Sequence, residues 1–199
     1  MSITWKPSIE VESVNGTREV SLNTRHLMNR IIFIQGEINA EMADDFLSQF
    51  IYLSEEPQKP VTIYINSPGG EINAGLMIYD TIRGSNMDIS MVCAGLAASM
   101  AAVLLAGGQK GRRFILPHSK VMIHEPLISR GVGGSATSIR NISDSIFRNK
   151  DIINGILSQH TGKTIDEINQ ATSYDHYMDA EESVEFGICD EICETVLIA

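Results

Sequence analysis

Between Ile31 and Ala94 short apolar runs alternate with helical stretches: Ile31 to Ile34, Ala40 to Leu53, Val61 to Ile65, Ala74 to Ile82, and Ile89 to Ala94. A chain that runs strand, helix, strand must cross back over its sheet, and such crossovers are right-handed. The order therefore predicts a largely parallel sheet with helices against it. In the first helix Met42, Phe46, Phe50 and Leu53 recur at steps of three and four behind Asn39, a suitable N-cap, so one face should lie on the sheet. At 199 residues the chain suits one such domain and is short for two.

On either side of this repeat the pattern changes. Ile9 and Val11 alternate with polar residues up to Asn15-Gly16, and Val20 and Leu22 alternate after it, which predicts a hairpin. Phe114 to Leu116 and Val121 to His124 read as strands separated by Pro117 and His118, followed by a loop with Gly131, Gly133 and Gly134. Thr137 to His160 is the longest helical pattern, with Ile139, Ile142, Ile146, Ile153 and Leu157 in register and Gly162 as its stop. Thr164 to Glu167 and Asp179 to Glu182 read as capping boxes that open short helices.

A formal net charge of -10 and the lack of a basic run argue against nucleic acid or an anionic membrane as partner. Neither a signal peptide nor a clean apolar span is visible, so a cytoplasmic protein is expected. Cys93, Cys189 and Cys193 form neither a zinc spacing nor a redox pair, and the five histidines show no ligand spacing, so no metal site is expected.

Three strand ends carry groups suited to chemistry. Strand Val61 to Ile65 runs into Asn66-Ser67-Pro68-Gly69-Gly70 and then a helix; such glycines can present free N–H groups to an oxyanion, although Pro-Gly-Gly alone is equally a tight turn. It lacks the Lys and Ser/Thr of a phosphate-binding loop. Strand Ile89 to Ala94 leads through Gly95-Leu96-Ala97-Ala98 to Ser99 at the start of a helix, where developing negative charge is favoured; a close-packed buried helix with a small serine is the other reading. Val121 to His124 ends on a histidine that can serve as base or be structural. A serine, a histidine and a later aspartate are what nucleophilic acyl transfer needs. Asp175 can orient the imidazole, whereas nearby Asp166 and Asp179 are accounted for by caps.

Asn66 to Gly70 with Ala74-Gly75 and Ile78 to Thr81, Gly95 to Ala102 with Leu104 to Gly107, Met122 to Leu127, and Ala180 to Gly187 resemble, in order and spacing, the motifs of the Clp protease proteolytic-subunit (ClpP) family. The likeness spans about Arg18 to Ile192. It implies the ClpP/crotonase-like α/β fold, repeated β-α units with a mainly parallel sheet and a protruding helical handle. The expected organisation is an axial hairpin segment at 1–24 and a peptidase domain at 25–199, with the handle at about 125–162.

The resemblance further implies Ser99 as nucleophile, His124 as general base and then acid, and Asp175 as its orienting partner. Backbone N–H groups of Gly70 and Met100 would form the oxyanion hole, and the segments of Ile72 and Leu127 would clamp an extended substrate by backbone pairing. It implies a homo-oligomer of heptameric rings, stacked as a double ring through the apolar handle stripe, that cleaves unfolded polypeptides delivered by an AAA+ unfoldase such as ClpX, ClpA or ClpC. No cofactor, nucleic acid or membrane is implied.

Three departures from the family pattern stand out. Ser173-Tyr174 replace a charged Asp-Arg pair that couples the rings, Gly84 replaces an aromatic in the unfoldase pocket where Tyr64 is retained, and Glu125 stands where Gln is common. Two other readings share this fold: a weakly active or regulatory paralogue in mixed rings, and a crotonase-type acyl-CoA enzyme. A Ser/Lys peptidase would need a role for Lys110 or Lys120, and neither has the warrant of His124.

Overall fold

The computed structural model describes residues 7–13, 16–128 and 133–195. β1 (Ser8–Ser13) and β2 (Gly16–Ser21) form an antiparallel hairpin of their own, in register from Ser8↔Ser21 to Ser13↔Gly16. Asn15, in the expected turn, lies outside the described residues, as does Gly131 of the glycine-rich loop. The strand alternation expected through Leu22 stops one residue earlier. There Ser21 Oγ accepts from Thr24 N at 3.0 Å and caps helix α1 (Leu22–Met28), because a side-chain oxygen at this point satisfies an N–H that a new helix leaves open.

The main sheet begins with β3 (Ile31–Gln35), followed by α2 (Ala40–Leu53), β4 (Val61–Ser67), α3 (Ile72–Arg83) and β5 (Ile89–Ala98). Then come α4 (Met100–Ala106), β6 (Arg113–Ile115), β7 (Lys120–Ile123), α5 (Ala136–Thr161), α6 (Ile165–Thr172), β8 (His176–Met178), α7 (Ala180–Phe186) and β9 (Glu191–Ile192). Strands β3, β4, β5, β6 and β9 lie side by side and parallel. Alternate residues Ile32, Ile34, Ile63, Ile65, Met91 and Cys93 face one way into the core, where they meet Phe46 and Phe50 of α2 and Ile78 of α3. The Asn39 cap accepts from Met42 N at 2.9 Å, both expected capping boxes are formed, and Gly162 ends α5 at φ 80.

β5 runs four residues past its expected end. Met91 to Cys93 pair with β6, the register against β4 slips between Ile65 and Ser67, and Leu96 to Ala98 then pair with β7. Asn66 fills the irregularity by accepting from Leu96 N through its side chain, and a Cβ at Gly95 would lie 2.8 Å from that Asn66 oxygen. β5 therefore changes neighbour midway and carries its last residues to β7. β8 closes the sheet by pairing antiparallel with β7.

Arg113, only 1% exposed, ties the far side together. Its guanidinium donates to both Asp190 carboxylate oxygens and to the carbonyls of Ala106, His160 and Gly187, so the buried charge is paired and its N–H groups are used.

On α5 the apolar stripe divides. Ile153 and Leu157 are buried in the core, while Ile139, Phe147 and Ile152 are exposed. Of the apolar handle stripe read from the sequence, Ile153 and Leu157 thus pack inside their own chain.

Candidate active site

Ser99 stands between β5 and α4 at φ 53, ψ −122, a region that costs a non-glycine residue on the order of 1–3 kcal/mol. Its N–H continues the β5–β7 ladder by donating to Met122 O at 2.8 Å, and its carbonyl accepts from Ala102 N and Val103 N to begin α4. The hydroxyl makes no capping bond to the helix that Ser99 opens. This strained strand-to-helix corner needs a neighbour without a side chain, because a Cβ at Gly69 would stand 2.7 Å from Ser99 Cβ and 2.6 Å from Ala98 O.

His124 follows the last residue of β7, and Asp175 precedes the first residue of β8. Since Ile123 pairs with His176 in an antiparallel ladder, the next step of the register sets His124 beside Asp175. Asp175 Oδ1 lies 3.0 Å from His124 Nδ1, and His124 Nε2 lies 2.9 Å from Ser99 Oγ. An ionised carboxylate only accepts, so Nδ1 donates to Asp175 and Nε2 is left to accept from the Ser99 hydroxyl. The His124 side chain is 15% exposed and that of Asp175 63%. β8 is three residues long and carries no period of its own, so the sequence held no local sign of it.

Gly70 bridges to Ile38: Ile38 N donates to Gly69 O and Glu71 N to Ile38 O, both at 2.8 Å. That bridge leaves the intervening Gly70 N–H on the opposite side of the strand. A Cβ at Gly70 would fall 2.0 Å from Ile38 O, at φ 153, so only glycine fits. The Met100 N–H opens α4 and has no acceptor within the helix. Neither N–H is used in a backbone hydrogen bond among the described residues.

Beside Ser99 and His124 lies an apolar cleft walled by Ile72, Met100, Val103, Pro126, Ile153 and Leu157. Ile72, expected to touch substrate, is part of it. Leu127 is 64% exposed and lines none of it; Pro126 takes that wall. Val103 and the α5 pair Ile153 and Leu157 were not anticipated as cleft residues, although their helical stripe was the signal that would bury them.

The thiols offer no competing nucleophile. Burial pushes Cys93 up to about 12 and raises Cys189 and Cys193 as well, so all three stay protonated. Lys110 faces Asp190 at 3.4 Å. Ser173 Oγ donates to Gln170 O, and the exposed Tyr174 ring lies 5.5 Å from His176. Gly84 caps the end of α3. Among the described residues no group of three or more His, Cys, Asp or Glu is placed to hold a metal ion, and no described helix is long and apolar enough to cross a membrane.

A serine on a strained strand-to-helix corner, an imidazole and a carboxylate in one hydrogen-bonded line on a mostly parallel sheet have the arrangement of a serine acyl-transfer site. The family model for Clp protease matches residues 14–196. The chain belongs to the Clp protease family.

Proposed function

We propose that the chain is a serine endopeptidase in which Ser99, His124 and Asp175 act together. The observation that carries this reading is the unbroken line from Ser99 Oγ to His124 Nε2 at 2.9 Å and from His124 Nδ1 to Asp175 Oδ1 at 3.0 Å. Ser99 Oγ attacks the scissile carbonyl carbon while its proton passes to His124 Nε2. The imidazolium so formed is stabilised by Asp175, and the carbonyl oxygen, now negative, is held by the N–H groups of Gly70 and Met100. His124 then gives the proton to the leaving amine, and water, activated by the same nitrogen, releases the acyl group from Ser99. An enolate-stabilising acyl-CoA enzyme would need the N–H groups but no serine aligned on a base, so the hydrogen-bonded line favours the peptidase.

The family suggests the setting: a homo-oligomeric barrel of two heptameric rings, fed with unfolded polypeptide by an AAA+ unfoldase. In this proposal the segment 1–24 is the axial hairpin and 25–199 the peptidase domain, with the handle at about 125–162. Ile139, Phe147 and Ile152, exposed on α5, supply apolar surface for ring contact. The Leu127 segment, open to solvent beside the cleft, suits an extended chain that pairs by its backbone. Treatment with a fluorophosphonate, mapping of the labelled residue, cleavage of a fluorogenic peptide and the native mass test the reading together. Labelling at Ser99 that is lost in His124→Ala is expected; an unlabelled Ser99 or an active Ser99→Ala protein overturns it.

A further inference from the structure

Lys150 of α5 lies outside the cleft, and its Nζ donates to Glu125 Oε2 at 2.5 Å. Glu125 is the residue after His124, and its backbone N–H donates to Thr172 O at 2.7 Å. One turn further along α5, Asn154 is fully buried, and its Nδ2 donates to Asn169 Oδ1 at 2.7 Å and to Thr172 Oγ1 at 3.3 Å. Thr172 ends α6, just before the segment that carries Asp175. Residues at i and i+4 share a helix face. A single turn of α5 thus holds the chain leaving His124 through Lys150 and the chain approaching Asp175 through Asn154.

We propose that Glu125 and Lys150 are positioning residues for the acyl-transfer site. Their ion pair registers the His124 strand end against the turn of α5 that Asn154 uses to register Asp175, so one rigid element sets the spacing of imidazole and carboxylate. The inference rests on the peptidase reading above. With the Lys150 side chain 27% and that of Glu125 46% exposed, the pair adds little to global stability. Its effect falls on His124 instead, whose Nε2 must stay within reach of Ser99 Oγ for proton transfer. Because neither side chain touches the cleft, loss of the pair should lower kcat and spare KM.

The test uses the full-length protein as four variants. Lys150→Met keeps the aliphatic stem and removes the charge. Glu125→Ala removes the acceptor, Glu125→Gln restores an acceptor without charge, and Lys59→Met removes an exposed pair at a distance. Peptide kinetics, the rate of fluorophosphonate labelling at Ser99 and the native mass are read on the same samples. Lys150→Met and Glu125→Ala should each lose about tenfold in kcat and in labelling rate with KM little changed, well short of the roughly hundredfold that a 1 Å misplacement can cost. Glu125→Gln should recover most of the loss, and Lys59→Met should match wild type. A kcat within about twofold of wild type in both Lys150→Met and Glu125→Ala, or a change confined to KM, overturns the inference. A wild-type protein that is not labelled at Ser99 overturns the peptidase reading itself, so the two failures are told apart.

Discussion

Replacing Ser99 by glycine should leave a more stable protein than replacing it by alanine. Both substitutions remove the hydroxyl and its bond to His124 Nε2, so their difference isolates the Cβ at φ 53, ψ −122. Holding a non-glycine residue there costs on the order of 1–3 kcal/mol, which glycine escapes. Against this, glycine gains freedom in the unfolded chain that costs about 0.4–1 kcal/mol. Ser99 is partly buried, so the missing methyl forfeits about half of the roughly 0.8 kcal/mol that a fully buried carbon contributes. The strain is the larger effect, and Ser99→Gly should exceed Ser99→Ala by about 1 kcal/mol. In a chain of this size that is about 2–4 °C in Tm. Calorimetry at matched protein concentration measures it, because self-association of any protein makes the melting temperature depend on concentration. If Ser99→Gly melts at or below Ser99→Ala, the corner is not strained in the folded protein and the reasoning fails.

Asp175→Asn should lower kcat by about three to four orders of magnitude with the native mass unchanged, since an amide permits the wrong imidazole tautomer; a near-normal rate would assign Asp175 no part in orienting His124. For Asp190, burial pushes the carboxyl up, but hydrogen bonds and charge from Arg113, joined by the Gly111 N–H, outweigh it and bring it from 3.8 to about 2. A carboxyl depressed on folding contributes stability that is present above its unfolded pKa and lost as pH falls through the folded one. Asp190→Asn should therefore cost about 3 kcal/mol at neutral pH, where it leaves Arg113 buried without a counter-charge. That gap should narrow in denaturant titrations as pH falls from 3.8 to about 2, and a gap independent of pH would contradict it. The cleft of Ile72, Val103, Pro126, Ile153 and Leu157 should favour an apolar side chain on the acyl side of the scissile bond over Asp by about tenfold or more in kcat/KM; equal rates across a peptide series would count against this cleft as the specificity site.

The parallel architecture was legible in the sequence because its signals are local. Apolar runs alternating with helical stripes, the Asn39, Thr164 and Asp179 caps and the Gly162 stop each depend on residues within a turn or two, and each appears where expected. The same holds for Ser99 at a helix start and His124 at a strand end, which local pattern alone sets there. Strand pairing is another matter, since it joins segments far apart in the chain and three-residue strands such as β8 have no period to read. The caps at Thr164 and Asp179 set Asp166 and Asp179 aside, but only the register Ile123↔His176 places Asp175 beside the imidazole. The partner exchange along β5 likewise carries Ser99 to Met122 and so to His124. The sequence by itself determined that Ser99 opens a helix and that His124 ends a strand. Only the tertiary structure decided which ends meet, because hydrogen-bond register between distant strands is a property of the assembled sheet.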